Sequence, residues 1–205
     1  MIGMKQLSVQ VIFFDFGGVI AEEGYRNGLY AIAEDNGLDP KDFAYIARAL
    51  LHTTGYILGK SDEAFYWQAL RKQTGIQGSD QQLRQHILTR FILRGWMMDL
   101  IDELKSKARL AILSDQTNWL DELDVQYGLS RHFEHIFNSF HMRKSKNDAS
   151  LFDDVLKIMQ IEPEAALFVD DTLGHIQRAQ GRGLHAIHFT DRFTFIEQLR
   201  IYCSF

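Results

Sequence analysis

Cysteine is nearly absent from this 205-residue chain: Cys203, close to the C-terminal end, stands alone. A single thiol cannot close an internal disulfide and gives no metal-ligand spacing, so a reducing, cytoplasmic setting is expected. Long apolar runs are missing too. Nothing approaches the roughly 18–20 apolar residues that a membrane-spanning helix needs, which argues against a membrane partner. The first ten residues, Met1–Gln10, have no basic stretch, long apolar run and small-residue cleavage site in succession, so a signal peptide is not expected. Basic residues are also in deficit. A net charge of −5 and a pI near 5.9 leave no broad basic surface for nucleic acid or anionic lipid. Repeats and low-complexity tracts are not found.

What remains is an ordinary globular composition, 46% hydrophobic and 24% charged, in a length that suits one or two domains. Val9–Phe16 (VQVIFFDF) is a short, almost continuous run of β-formers closed by Gly17-Gly18, the pattern of a strand buried on both faces. Arg109–Leu113, Ala165–Val169 and His185–Phe189 have the same character, and Glu134–Phe140 has it more weakly. Helical spacing lies between them. Met97, Leu100, Ile101 and Leu104 share one face, as do Leu151, Val155, Leu156 and Met159. Alternating strands and helices predict a parallel α/β sheet covered on both sides, with ligands at the carboxyl ends of its strands.

The stretch from Ala21 to Trp96 carries no strand pattern. Helices are expected over Tyr30–Asn36, Lys41–Leu51, Glu63–Thr74 and Asp80–Phe91. Asp39-Pro40 fits an N-cap followed by a first-turn proline, and Ser61 fits an N-cap ahead of Asp62-Glu63. Gly37 and Gly75 fit helix C-termini. The segment therefore reads as a helical insert placed directly after the first strand.

Chemistry-bearing residues collect where strands end. Asp15 closes the first strand ahead of two glycines, a place where a carboxylate can attack an electrophile that the backbone approaches closely. Ser114 ends the second strand, before a helix expected at Thr117–Leu123 whose N-terminus offers amides to an anion. Lys144 and Lys146 precede another helix, and either could neutralise a phosphate. Asp170-Asp171 end the fourth strand, and a hard cation such as Mg²⁺ would relieve their mutual repulsion. Each site alone also fits turn or capping duty. All four at one sheet edge is a stronger pattern. His185 and His188 read as structural residues of a strand, and Phe65, Tyr66 and Trp67 as core of the insert.

In these four places the chain resembles the haloacid dehalogenase-like (HAD) hydrolase superfamily. FFDFGGVI is similar to its first motif, LAILSD to its second, KNDASLF to its lysine motif and LFVDDTLGHIQRAQGRGL to its acidic motif. The first motif is of the DxGxV kind, which includes sugar-1-phosphatase-like enzymes. The resemblance implies a Rossmann-like three-layer core over residues 1–20 and 97–205, with a C1-type helical cap over 21–96. It also implies roles. Asp15 would be the nucleophile, and Asp15, the Gly17 carbonyl and Asp171 would hold Mg²⁺, with Asp170 acting through water. Ser114, with Asp115 beside it, would bind the phosphate, and Lys146 would stabilise its charge, being six residues ahead of Phe152 as the motif requires. Three residues depart from the usual phosphatase pattern: Gly17 where a general acid stands, Asp115 in place of Asn, and His175 in place of Asn or Asp.

The leading expectation is a Mg²⁺-dependent phosphatase of a small phosphorylated metabolite, working through an aspartyl phosphate as a monomer or homodimer. Metal-free dehalogenation, with Asp15 attacking carbon, is a second reading. A catalytically impaired metabolite-binding or interaction module is a third, suggested by Gly17 and Asp115.

Overall fold

The computed structural model describes residues 9–203. Met1–Ser8, on which most of the N-terminal reading rests, and the last two residues lie outside it. The first strand, β1 (Val11–Phe14), is followed by helices α1 (Gly24–Asp35), α2 (Pro40–Thr53), α3 (Glu63–Thr74), α4 (Asp80–Leu88) and α5 (Gly95–Leu104). Then come β2 (Arg109–Ser114), α6 (Trp119–Tyr127), β3 (His135–Asn138), the short α7 (Ser139–Met142) and α8 (Ser150–Met159). β4 (Ala166–Asp170), α9 (Leu173–Gly181), β5 (His185–His188) and α10 (Arg192–Leu199) complete the chain. The strands form one parallel sheet in the order β3-β2-β1-β4-β5, the expected α/β class.

Alternation along the strands builds the three layers. Ile12, Phe14, Leu110, Ile112, Leu167 and Val169 face one side, against apolar residues of α5, α6 and α10. Val11, Phe13, Ala111, Leu113 and Phe168 face the other, against Phe152, Val155 and Met159 of α8 and Ile176 of α9. With both faces covered, the strands read as continuous apolar runs rather than as alternating ones.

The two ends of the insert lie side by side. Ala21 bridges Leu93, the Arg94 amide donates to the Ile20 carbonyl at 2.9 Å, and the Glu22 amide to the Ile92 carbonyl at 2.9 Å. The insert is helical, as expected, and its aromatic side chains reach the rest of the protein. Trp67 stacks on Trp119 of α6 with ring centroids 5.8 Å apart, and the Tyr56 hydroxyl donates to Asn118 Oδ1 at 2.6 Å. Tyr66 and Trp67 are fully buried, whereas Phe65 is 52% exposed and is not core.

Several boundaries differ from the sequence reading; α4, for one, ends at Leu88 rather than Phe91. α1 starts at Gly24 rather than Tyr30, because Gly24 and Gly28, residues that weaken an isolated helix, are contact points here. A Cβ on Gly24 would fall 2.4 Å from Phe91 Cγ, and one on Gly28 would fall 2.6 Å from Ile87 Cα in α4. The N-cap of α3 is Asp62 and not Ser61: Asp62 Oδ1 accepts from the Phe65 amide at 2.8 Å, while Ser61 Oγ is buried without a partner among the described residues. α6 starts at Trp119, two residues later than expected. Asp39 caps α2 ahead of Pro40 as expected.

Gly28 gives a test of this packing. The atoms nearest an added Cβ are backbone atoms of α4, Ile87 Cα at 2.6 Å and the His86 carbonyl oxygen at 2.9 Å. Gly28→Ala should therefore destabilise by about 1–3 kcal/mol through overpacking. A thermal melt should register this as a drop of roughly 2–4 °C per kcal/mol for a chain of this size. An unchanged Tm would mean that α1 and α4 are not in this contact.

Candidate active site

The sheet changes direction at β1. Chain order runs β1, β2, β3 to one side, then crosses to β4 and β5 on the other, and such a switch point is where parallel sheets hold ligands. The register matches Phe14 with Ile112 of β2 and Val169 of β4, so Asp15, Ser114 and Asp170 all end up at one edge. The Asp15 amide donates to the Val169 carbonyl at 2.8 Å, which fixes the residue just beyond the strand.

There the expected residues converge. Ser114 Oγ donates to Asp15 Oδ1 at 2.7 Å, as does the Phe16 amide at 2.7 Å. Lys146 Nζ lies 2.8 Å from Asp15 Oδ2 and 2.6 Å from Asp170 Oδ2, with its side chain 1% exposed. Carboxylate oxygens of Asp15, Asp170 and Asp171 stand within 4.8 Å of one another. Gly18 (φ +81°) turns the chain beneath them, and a Cβ there would fall 2.2 Å from Asp171 Oδ2, so only glycine fits. Three carboxylates thus face one ammonium, with oxygen donors close enough to share a hard cation.

Electrostatics separates the acids. Burial pushes the Asp15 carboxyl well above the ordinary carboxylate range, more than Lys146 pulls it down, and the charge of Asp170 adds to the rise. Burial acts the same way on Asp170, but Lys146 and then His175 outweigh it and hold that carboxyl below the ordinary range. Asp171 is raised by burial and by Asp170. Burial would lower Lys146, yet the charges of Asp15, Asp170 and Asp115 more than compensate.

The residues that depart from the usual pattern find places. The Asp115 side chain accepts from the Lys146 amide at 2.9 Å, so it fixes the backbone that carries Lys146. His175 Nδ1 lies 3.1 Å from Asp170 Oδ2, and the Thr172 amide donates to Asp170 Oδ1 at 2.7 Å. His188 Nε2 lies 3.0 Å from the Asp171 carbonyl oxygen. Lys144 is elsewhere, on Ser150 and Asp154 of α8. Gly17 has no unusual φ, and Phe91, Glu23 and Gln116 surround the place a Cβ would take. Sequence reasoning passed over Glu23 and Gln116, neither of which belongs to a motif.

A cleft of about 490 Å³ adjoins the acids, lined by Asp171 and Thr172 on one side and by Glu23, Arg26, Tyr45 and Arg48 of the insert. A larger hollow of about 650 Å³ opens beside Arg109 and Glu134, at the opposite end of the strands, and includes none of the converged residues.

One edge of the parallel sheet thus carries a buried strand-end aspartate, a lysine and an acidic pair. Residues 9–180 match the family of haloacid dehalogenase-like hydrolases, and the chain belongs to that family. No curated protein matches it. Among solved structures it is similar to the HAD family enzyme BT-2542 of Bacteroides thetaiotaomicron, at 18% identity and TM-score 0.77, covering 93% of this chain and 98% of that one. Another structure of that enzyme, in complex with magnesium and inorganic phosphate, matches at 17% identity and TM-score 0.71, covering 92% and 99%. A predicted HAD-like family hydrolase of Porphyromonas gingivalis matches at 23% identity and TM-score 0.71, covering 93% and 97%. At these identities the likeness speaks for the fold. Among the described residues no helix is long and apolar enough to cross a membrane.

Proposed function

We propose that the protein is a Mg²⁺-dependent phosphoric monoester hydrolase that acts on a small phosphorylated metabolite through an aspartyl phosphate on Asp15. The observation that carries this reading is the charge arrangement: Asp15, Asp170 and Asp171 within 4.8 Å of one another, with Lys146 as their one close ammonium among the described residues. A metal-free dehalogenase fits it poorly, because uncompensated acids would repel both a carboxylate substrate and the anionic nucleophile.

The donor set suits Mg²⁺, being all hard oxygens. Asp15, the Gly17 carbonyl and Asp171 would hold it directly. Asp170 already serves Lys146, His175 and the Thr172 amide, which suits a role through water. When bound, the ion would offset carboxylate charge and polarise the phosphoryl oxygens. Asp15 attacks phosphorus in line, Ser114 turns its hydroxyl to a phosphoryl oxygen, and Lys146 balances the charge that gathers there. The Asp115 carboxylate positions Lys146 instead of meeting the phosphate. In the same reading residues 21–96 form a cap over a core of 1–20 and 97–205, and the cleft between Asp171 and Arg48 takes the rest of the substrate.

The test is a panel of phosphate esters assayed with Mg²⁺, with EDTA and after Mg²⁺ is restored. Turnover should vanish in EDTA and return with the metal. Undiminished turnover in EDTA would remove the metal assignment, and no turnover of any ester would favour the binding-module reading. The net negative charge of the protein gives no reason to include nucleic acid in the panel.

A further inference from the structure

The usual general acid is replaced by Gly17, yet its place is not empty of acid. Glu23 follows the β1 loop by a few residues and stands as N-cap of α1, but its side chain accepts no hydrogen bond from that helix. Its Oε1 lies 3.4 Å from where a Gly17 Cβ would be and 3.0 Å from where a Gly18 Cβ would be. Asp171 Oδ2 crowds that same Gly18 position, at 2.2 Å. Glu23 is thus half-buried beside the acidic cluster, lines the cleft, and brings its carboxylate, next to the Phe91 ring, within contact distance of the Cβ that an aspartate at position 17 would carry. Glutamate is a poor N-cap compared with Ser, Thr, Asp or Asn, so capping does not account for it.

We infer that Glu23 is the general acid–base of this site, a catalytic residue supplied from the root of the helical insert in place of the absent aspartate. The inference rests on the phosphatase reading. In the first half-reaction an Asp15 oxygen bonds to phosphorus and the bond from phosphorus to the ester oxygen breaks. Its electron pair goes to that oxygen, which takes the proton of Glu23 and leaves as an alcohol. In the second, water bonds to phosphorus and gives its proton to the Glu23 carboxylate. The bond from phosphorus to Asp15 breaks and returns its electron pair to the Asp15 carboxylate. Phosphate leaves, and Glu23 is protonated again.

The experiment uses Glu23→Gln in the whole chain with Mg²⁺, on p-nitrophenyl phosphate and on a primary-alcohol phosphate. The nitrophenolate leaves without a proton and the alkoxide does not. The primary-alcohol ester should lose about 10²–10⁴-fold in kcat/KM, the contribution of a general acid, while p-nitrophenyl phosphate keeps its kcat/KM. Loss of the base should slow the second half-reaction, so nitrophenol should appear in a burst stoichiometric with protein before a slow phase. Beryllofluoride, a phosphoryl mimic, should bind Glu23→Gln with Mg²⁺ as it binds wild type. Restoring an acid in the double variant Gly17→Asp/Glu23→Gln should recover part of the primary-alcohol rate. Equal losses on both esters, or none, would overturn the role of Glu23 while the phosphatase reading stood. Wild type that hydrolyses neither ester and binds no beryllofluoride would overturn both. A misfolded Glu23→Gln, judged by its thermal melt, would assign Glu23 a structural role and overturn the inference, since glutamine keeps its shape.

Discussion

Asp15→Asn should take phosphate-ester turnover to background while the protein remains folded. The substitution keeps the shape at the end of β1 and removes the attacking anion. Loss of a protease nucleophile costs on the order of 10⁶-fold in kcat, and a comparable fall is expected here. Stability should move the other way. Burial raises the Asp15 carboxyl above its ordinary value, so the folded state holds the proton more tightly than the unfolded one. Such a group contributes stability below its unfolded pKa and loses it as pH rises through the folded one. At neutral pH wild type therefore carries a cost that a neutral amide does not. In metal-free buffer at pH 7, Asp15→Asn should melt no lower than wild type, and its stability should depend less on pH above pH 4. Near-normal turnover would end the proposed mechanism. A large fall in Tm would mean that the pairing of Asp15 with Lys146 outweighs its burial.

The second large effect belongs to Lys146. Its ammonium is buried between Asp15 and Asp170, at 2.8 and 2.6 Å. Removing one partner of a buried ion pair costs about 3–5 kcal/mol, because the remaining charge is left uncompensated. Lys146→Ala should be destabilised on that scale, as well as inactive. Mg²⁺ should then raise the Tm of the variant more than that of wild type, since a cation in the acidic cluster supplies part of the missing charge. Acid should help as well. In wild type Asp170 is held below its ordinary value, and its contribution is lost as pH falls through that low folded pKa. Without Lys146, burial raises both carboxyls, so the deficit should shrink as pH falls from 8 toward 5. Lys144→Ala is the control: its partners lie on α8, and a surface change of this kind stays within about ±0.5 kcal/mol. If Lys144→Ala abolishes turnover and Lys146→Ala does not, the two lysines have been exchanged.

Much of this arrangement is legible in the order of residues alone. Fully buried parallel strands must be apolar on both faces, which is why VIFF, RLAILS and ALFVD stand out, and why an acid or hydroxyl at their ends is conspicuous. Asp15, Ser114 and Asp170-Asp171 could be picked out because strand order in a parallel sheet brings every carboxyl end to one edge, whereas Lys146 was singled out by the resemblance to the family's lysine motif. The choice of Lys146 over Lys144 rested on the spacing to Phe152, and the two turn out to differ fully in burial and partners. Side-chain direction could not be read. Asp115, expected beside the phosphate, has its carboxylate on the Lys146 amide instead, a contact across 31 residues. The early start of α1 was hidden as well, since Gly24 and Gly28 weaken a helix by local propensity and are favoured only by the close approach of Phe91 and Ile87. Glu23 gave no signal at all: one of two adjacent glutamates outside every motif, it gains meaning from the empty Cβ position of Gly17. Periodicity and strand-end chemistry are local and survive in the sequence. Which carboxylate fills a gap left by a glycine depends on how distant backbone segments approach one another, and only the tertiary structure decides that.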